Sequence, residues 1–284
     1  MRVYFLKRGL ENSKMSDIEI FLKLPEKKIK LKAVIFDFDG TLSTLRHGWE
    51  KIMEPLMIEM ISGNSEVDED LLKEVKDYIN QSTGLQTYYQ MKWLAEAVKR
   101  HGKNTGTIQD PWWYKAEYNR RLMEPVNKRI KKIQSGKSTI CEYLIRGSKE
   151  FLEALFARSI EIYVASGTDH PDVNHETEVL GLKKYFKEVS GAPLGEAKCS
   201  KEAVIKKLLE DRKLNGSELV VIGDGKIEIA LGRQVGAVTL GVASDEEKRC
   251  GVNFVKKQRL IKAGAHAIVG DFRNLDELLN WLGL

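Results

Sequence analysis

The chain has 284 residues, 42% apolar and 31% charged, enough for one sizeable core plus an insert and incompatible with a disordered or collagen-like polymer. Its formal charge of +5 is the balance of 46 basic and 41 acidic residues interspersed along the chain, a pattern of solvated helix faces rather than of a nucleic-acid surface. No apolar run reaches the length of a membrane span and the N-terminal stretch has no cleavage site, while Cys141, Cys199 and Cys250 offer neither a disulfide framework nor a zinc site, so a cytoplasmic protein with reduced thiols is expected.

Residues 1–30 read as a short β extension, because Asp17 to Leu24 alternates polar and apolar before a Lys-rich turn. Ala33-Val34-Ile35-Phe36 is continuously apolar and ends abruptly in Asp37, the signature of a parallel strand buried on both faces. Trp49, Ile52, Met53, Leu56, Met57 and Met60 then fall on one stripe of a helix, and a second stripe runs from Val67 to Ile79. Helical spacing continues through Tyr89–Val98, Trp112–Met123 and Val126–Ile133, with Gly- or Pro-marked breaks. The aromatic pairs Tyr88-Tyr89 and Trp112-Trp113 read as core or interlobe packing.

After Gly147 the rhythm becomes that of a βα sheet. Helices are expected at Lys149–Phe156, Val173–Leu180, Lys201–Leu209, Gln258–Ala263 and Leu275–Leu282. Strands are expected at Ile160–Ala165, Leu219–Ile222, Ala237–Val242 and His266–Val269. The fold class is therefore α/β: a Rossmann-like, doubly wound parallel core made of residues 31–46 and 147–284, interrupted by an all-helical insert at 47–146.

In such a sheet ligands bind beyond the carboxyl ends of the strands. Asp37 and Asp39 lie on one side of an extended backbone, and Gly40 permits a tight turn before Thr41. Two carboxylates in one small space call for a cation, and oxygen ligands suit Mg²⁺. Ser166-Gly167-Thr168 ends a second strand, in a Gly-containing turn able to face an anion. Gly223-Asp224-Gly225, with Glu228 four residues after Asp224, ends a third and adds acids for an octahedral ion.

Asp37-x-Asp39-Gly40-Thr41, Ser166, a downstream lysine and Gly223-Asp224-x-x-x-Glu228 together resemble the four ordered motifs of the haloacid dehalogenase superfamily. The helical insert resembles that superfamily's first class of cap, and Leu180-Gly181-Leu182-Lys183-Lys184-Tyr185-Phe186 resembles its phosphoglycolate-phosphatase-like members. The resemblance implies an Mg²⁺-dependent phosphohydrolase. Asp37 would be the nucleophile that forms an aspartyl-phosphate, and Asp39 the acid–base partner. Mg²⁺ would be held by Asp37, the Asp39 carbonyl and Asp224, with Glu228 nearby, and phosphate by Ser166, Gly40, Thr41 and Gly167. Two lysines compete for the position beside Asp37: Lys201, which opens a helix 23 residues before Asp224, is preferred, and Lys198 lacks the proline that usually follows it.

A cap favours a small phosphometabolite, a sugar phosphate first, over nucleic acid or phosphoprotein. Arg46, Gln86 and Gln90 are candidate substrate contacts, although glutamines facing solvent are the plainer expectation. The alternatives are a phosphomutase that transfers the same phosphoryl group and a non-catalytic binding protein.

Overall fold

The computed structural model describes residues 17–24, 30–104, 106, 108–197 and 200–284. Seven strands form one sheet in the order β1-β7-β6-β5-β2-β3-β4. The chain starts on the edge with β1 (Glu19–Ile20) and enters the middle with β2 (Ala33–Phe36). Every residue of β2 is buried, because helices cover both faces of a parallel sheet. Alternation sends Val34 and Phe36 into one apolar layer and Ala33 and Ile35 into the other. Phe36 meets Phe151 and Phe272 edge-on, at 5.9 and 6.4 Å between ring centroids, so Phe36→Ala would cost about 3–5 kcal/mol.

Among the described residues the chain after β2 runs first through four helices of the insert, α1 (Glu50–Ser62), α2 (Glu69–Ser82), α3 (Thr87–His101) and α4 (Pro111–Gln134). Their ends are written locally. The Asp68 carboxylate caps α2 by accepting from the Leu71 amide at 2.8 Å, and Asp110 caps α4 through the Trp112 and Trp113 amides with proline at the first helical position. The break expected near Pro125 does not occur. Leu122, Val126 and Ile130 are all buried along one stripe, and their packing outweighs one missing backbone hydrogen bond. The aromatic pairs divide: Tyr88 packs on Trp112 at 4.4 Å and the Tyr89 hydroxyl donates to the Ala197 carbonyl across the lobes at 2.8 Å, but Trp113 is exposed, contrary to a packing role.

The remaining chain alternates as α5 (Ser148–Ala157), β3 (Glu161–Asp169), α6 (His170–Val179), β4 (Glu188–Ala192), α7 (Ser200–Asp211), β5 (Leu219–Gly223), α8 (Lys226–Gln234), β6 (Val238–Val242), α9 (Phe254–Lys262), β7 (Ala267–Val269) and α10 (Leu275–Leu282). Strands β2 to β7 pair in parallel. Chain order reverses at β2, which has β3 on one side and β5 on the other, and this places the crevice at its carboxyl end. Phe36 is level with Val164 and Ile222, so the residues that follow these three converge.

Two sequence expectations are corrected here, and two elements are added. The eight-residue N-terminal strand shrinks to two residues, antiparallel to β7 and both exposed; β7 is only three residues long, and past its end the Phe21 and Leu22 amides both turn to the His266 carbonyl, which breaks the ladder. The rest of the expected extension, residues 1–16, and the Lys-rich turn at 25–29 lie outside the described residues. Ser166-Gly167-Thr168 is no free turn: it belongs to the tail of β3, where the register against β4 slips between Ala165 and Asp169. Finally, β4 and α8 were not foreseen. The first offers one large apolar residue, Val189, and the second spaces Ile227, Ile229 and Leu231 two apart, a strand-like period that tertiary packing overrides.

Candidate active site

Asp37 follows β2 directly, its amide tied to the Ile222 carbonyl at 2.8 Å. Lys201, in the first turn of α7, places Nζ 2.8 Å from Asp37 Oδ1 and 2.9 Å from Glu228 Oε2. Lys198 lies outside the described residues, so the preference for Lys201 rests on this geometry alone. The Thr41 hydroxyl donates to Asp37 Oδ2 at 3.3 Å. Burial pushes the Asp37 carboxyl well above the usual range, against the pull of Lys201, and Glu228 and Asp224 push the same way. Such a group needs positive charge around it to ionise.

Asp224 and Glu228 arrive from the β5–α8 turn. Among the described residues, Asp37, Asp224 and Glu228 each offer a carboxylate oxygen, and these atoms lie within 4.8 Å of one another. Glu228 has further duties: Oε1 accepts from the Gly225 amide at 2.6 Å and Oε2 from Lys201. Burial raises its pKa, but the Lys201 charge and these hydrogen bonds bring it below the ordinary value. Gly40 has φ +74°, and a Cβ there would lie 2.5 Å from Asp224 Oδ2, so only glycine lets the two motifs meet.

Asp39 is aimed differently. Thr168 donates to its Oδ2 at 2.8 Å, while Oδ1 is buried without a partner among the described residues. Burial raises its pKa, partly offset by Arg46 and Thr168. The Thr168 amide in turn donates to Ser166 Oγ at 3.1 Å, so the slipped tail of β3 orients both side chains. Gly40 and Thr41 differ from their expected phosphate-binding role, because their amides are spent inside the turn on Ser43 and Phe38 carbonyls. At Gly167 a Cβ would stand 3.3 Å from the Leu85 carbonyl, so the glycine admits the helical lobe.

A cavity of about 100 Å³ adjoins Asp37, and Trp49, Tyr118, Leu122, Thr87 and Gln90 are among the residues that line it. Arg46 also borders it, yet its guanidinium is held by Glu176 at 2.6 Å and Asp172 at 3.2 Å. Glu176 is pushed up to about 7 by burial despite Arg46. Gln86 does not line this cavity; its amide donates to the Glu196 carbonyl at 2.9 Å and ties the lobes together. Gln90 donates to Ser82 Oγ at 3.1 Å.

Sequence reasoning missed Lys256, Glu246 and the pair Lys115–Asp169. Lys256 on α9 reaches Asp224 Oδ2 at 2.7 Å and Glu246 Oε1 at 2.6 Å. Lys115 of α4 bonds Asp169 at the end of β3. No spacing signals them, since each follows from how separate elements pack.

With this geometry in place, the match to known proteins is informative. The family model for haloacid dehalogenase-like hydrolases matches residues 31–236, which include Asp37, Asp39, Ser166, Lys201, Asp224 and Glu228. The chain belongs to that family. This hydrolase is 23% identical over 220 residues to a 5'-nucleotidase of Pseudomonas aeruginosa, covering 76% of this chain and 86% of the relative. Its fold matches a protein described as a predicted phosphoglycolate phosphatase from Haemophilus somnus, with TM-score 0.60, 18% identity and coverage of 88% and 98% of the two chains. It matches a beta-phosphoglucomutase from Clostridium difficile with TM-score 0.60, 16% identity and coverage of 89% and 97%. Identities this low carry the fold alone. Among the described residues no helix is long and apolar enough to cross a membrane.

Proposed function

We propose that this hydrolase is a Mg²⁺-dependent phosphatase of small phosphate monoesters, working through a phosphoryl group carried on Asp37. The observation that carries the reading is the buried Asp37 carboxylate, oriented by Lys201 and Thr41, with Asp39 close by but engaged with a different partner. The acid cluster suits a hard divalent cation: it consists of buried oxygen donors only, on carboxylates whose burial calls for added positive charge. Asp37, Asp224 and the Asp39 carbonyl would hold Mg²⁺, with Glu228 beside them. Bound there, the ion supplies charge neutralisation to the phosphoryl oxygens.

The chain's own groups divide the chemistry. An Asp37 oxygen attacks phosphorus and the ester P–O bond breaks, while the departing oxygen takes a proton from Asp39, whose raised pKa keeps that proton available. Asp39, now ionised, then accepts a proton from water as the water attacks phosphorus, and the bond from Asp37 to phosphorus breaks to release phosphate. Lys201 and Ser166 hold phosphoryl oxygens, giving fixed positive charge and a hydroxyl where charge builds up. Helices α1 to α4 serve as the cap, and the cavity beneath them, about 100 Å³, favours a small ester over a large one.

Phosphate release with Mg²⁺ should be measured over nucleoside monophosphates, sugar phosphates and 2-phosphoglycolate, comparing the wild type with Asp37→Asn. Turnover is expected in the wild type and abolished in the variant, and EDTA should remove it reversibly. A folded Asp37→Asn protein that still turns over would refute the reading, and phosphoryl transfer between sugar hydroxyls without net release would reassign the hydrolase as a mutase.

A further inference from the structure

Lys256 takes no part in the chemistry above, yet it is built into the acid cluster. Asn253 caps α9 by accepting from the Val255 and Lys256 amides at 3.0 and 3.1 Å, which fixes Lys256 in the first turn. From there its side chain runs inward, nearly fully buried, and Nζ bonds Asp224 Oδ2 at 2.7 Å, Glu246 Oε1 at 2.6 Å and Ser244 Oγ at 3.4 Å. Ser244 donates onward to the Gly40 carbonyl at 2.5 Å, and His47 stands 3.7 Å from Glu246. One turn further along α9, Arg259 donates to the Asp224 backbone carbonyl at 3.1 Å. Helix α9 therefore restrains Asp224 through both its carboxylate and its main chain.

The charges sort into two groups. Lys201 is shared by Asp37 and Glu228, and Lys256 by Asp224 and Glu246. An ion bound by Asp224 would sit across one carboxylate from the Lys256 ammonium, and at that range, away from bulk water, like charges repel strongly. Without an ion, the same ammonium is what keeps two buried carboxylates from facing each other unpaired.

We propose that Lys256 is a positioning residue that acts as an internal cation, holding Asp224 and Glu246 together in the metal-free protein and weakening the grip of the cluster on a divalent cation so that the ion can exchange. This rests on the metal reading given above. Freeing Asp224 to rotate matters less than removing the buried like charge, so the loss of Lys256 tightens metal binding.

The test is calorimetric titration of Mg²⁺ alone into the purified, substrate-free protein, with thermal melts in EDTA and in Mg²⁺. Lys256→Met should bind Mg²⁺ about tenfold more tightly, melt at lower temperature in EDTA, and gain more from Mg²⁺ than the wild type does. Lys256→Arg keeps the charge and should restore both properties. Glu246→Gln leaves Lys256 in place with less acid around it and should bind Mg²⁺ more weakly. A folded Lys256→Met protein whose Mg²⁺ affinity is unchanged or weaker overturns the proposal. If that variant does not fold, unchanged or tighter binding by Glu246→Gln overturns it. A wild type that binds no Mg²⁺ overturns the metal reading and this inference together, whereas normal wild-type binding with unshifted variants overturns the inference alone.

Discussion

Removing the Lys201 ammonium should destabilise the protein by an amount that depends on pH. In Lys201→Met, Asp37 and Glu228 lose a partner that stood 2.8 and 2.9 Å away in a site where the lysine is 4% exposed. Breaking a buried pair in this way costs about 3–5 kcal/mol. Protonation sets a ceiling, because the folded variant can escape by neutralising Asp37. The wild type's own folded pKa of Asp37 already lies well above the reference 3.8, and the escape costs the variant about 1.4 kcal/mol for each unit by which the pH exceeds that folded value, so the ceiling drops by up to about 2 kcal/mol between pH 7 and pH 5.5. The sign follows from linkage: the substitution raises the folded-state pKa of Asp37 further, so the variant's deficit is greatest at neutral pH and shrinks as pH falls. Urea unfolding in EDTA at the two pH values measures it directly. A deficit of up to about 4 kcal/mol at pH 7, shrinking by up to about 2 kcal/mol at pH 5.5, is expected, together with lost turnover. A deficit under about 1 kcal/mol, or one independent of pH, would refute the assignment of Lys201 as the charge partner of Asp37.

Two further outcomes test other parts of the structure. Thr168→Val removes the hydrogen bond to Asp39 Oδ2 from a carboxylate whose other oxygen already lacks a partner among the described residues. The pH–rate profile should move upward by about one unit with the fold intact, and an unmoved profile would detach Asp39 from the rate. His266 accepts from Arg233 at 2.6 Å and meets the Thr239 hydroxyl at 2.9 Å; burial and Arg233 lower its pKa to about 4. A base whose folded pKa is depressed loses stability as pH falls from 6.5 towards 4, here by about 1–2 kcal/mol after allowance for solvent access. His266→Gln should flatten that acid limb of a urea-stability curve, and an unchanged slope would show that His266 is not its source.

Much of the site is readable because strand ends are local. An apolar run that stops at Asp37, and others that stop before Ser166 and at Gly223-Asp224, state in sequence where the sheet's carboxyl edge lies, and the register of β2 against β3 and β5 brings those ends level. Arg46 illustrates the limit. Its place beside the cavity follows from its nearness to Asp39, but its capture by Glu176 and Asp172, 130 and 126 residues away, depends on how α6 packs against the lobe. Gln86, for which the sequence offers a substrate contact or a solvent-facing side chain, does neither and ties the lobe to the Glu196 carbonyl, a partner that no local pattern reveals.

The sequence alone determined the α/β class, the helical insert and the line of Asp37, Asp39 and Asp224, since each depends on periodicity, on strand ends or on motif spacing within a few residues, and it left Lys201 and Lys198 in competition. Only the tertiary structure decided that Ser166 and Thr168 ride on a slipped strand tail, that Glu228 serves Lys201 and the Gly225 amide, and that Lys256 enters the acid cluster from α9. Those outcomes depend on burial and on charges meeting across elements distant in the chain. Such interactions have no periodicity to leave in a sequence, and their strength arises only once packing has excluded water.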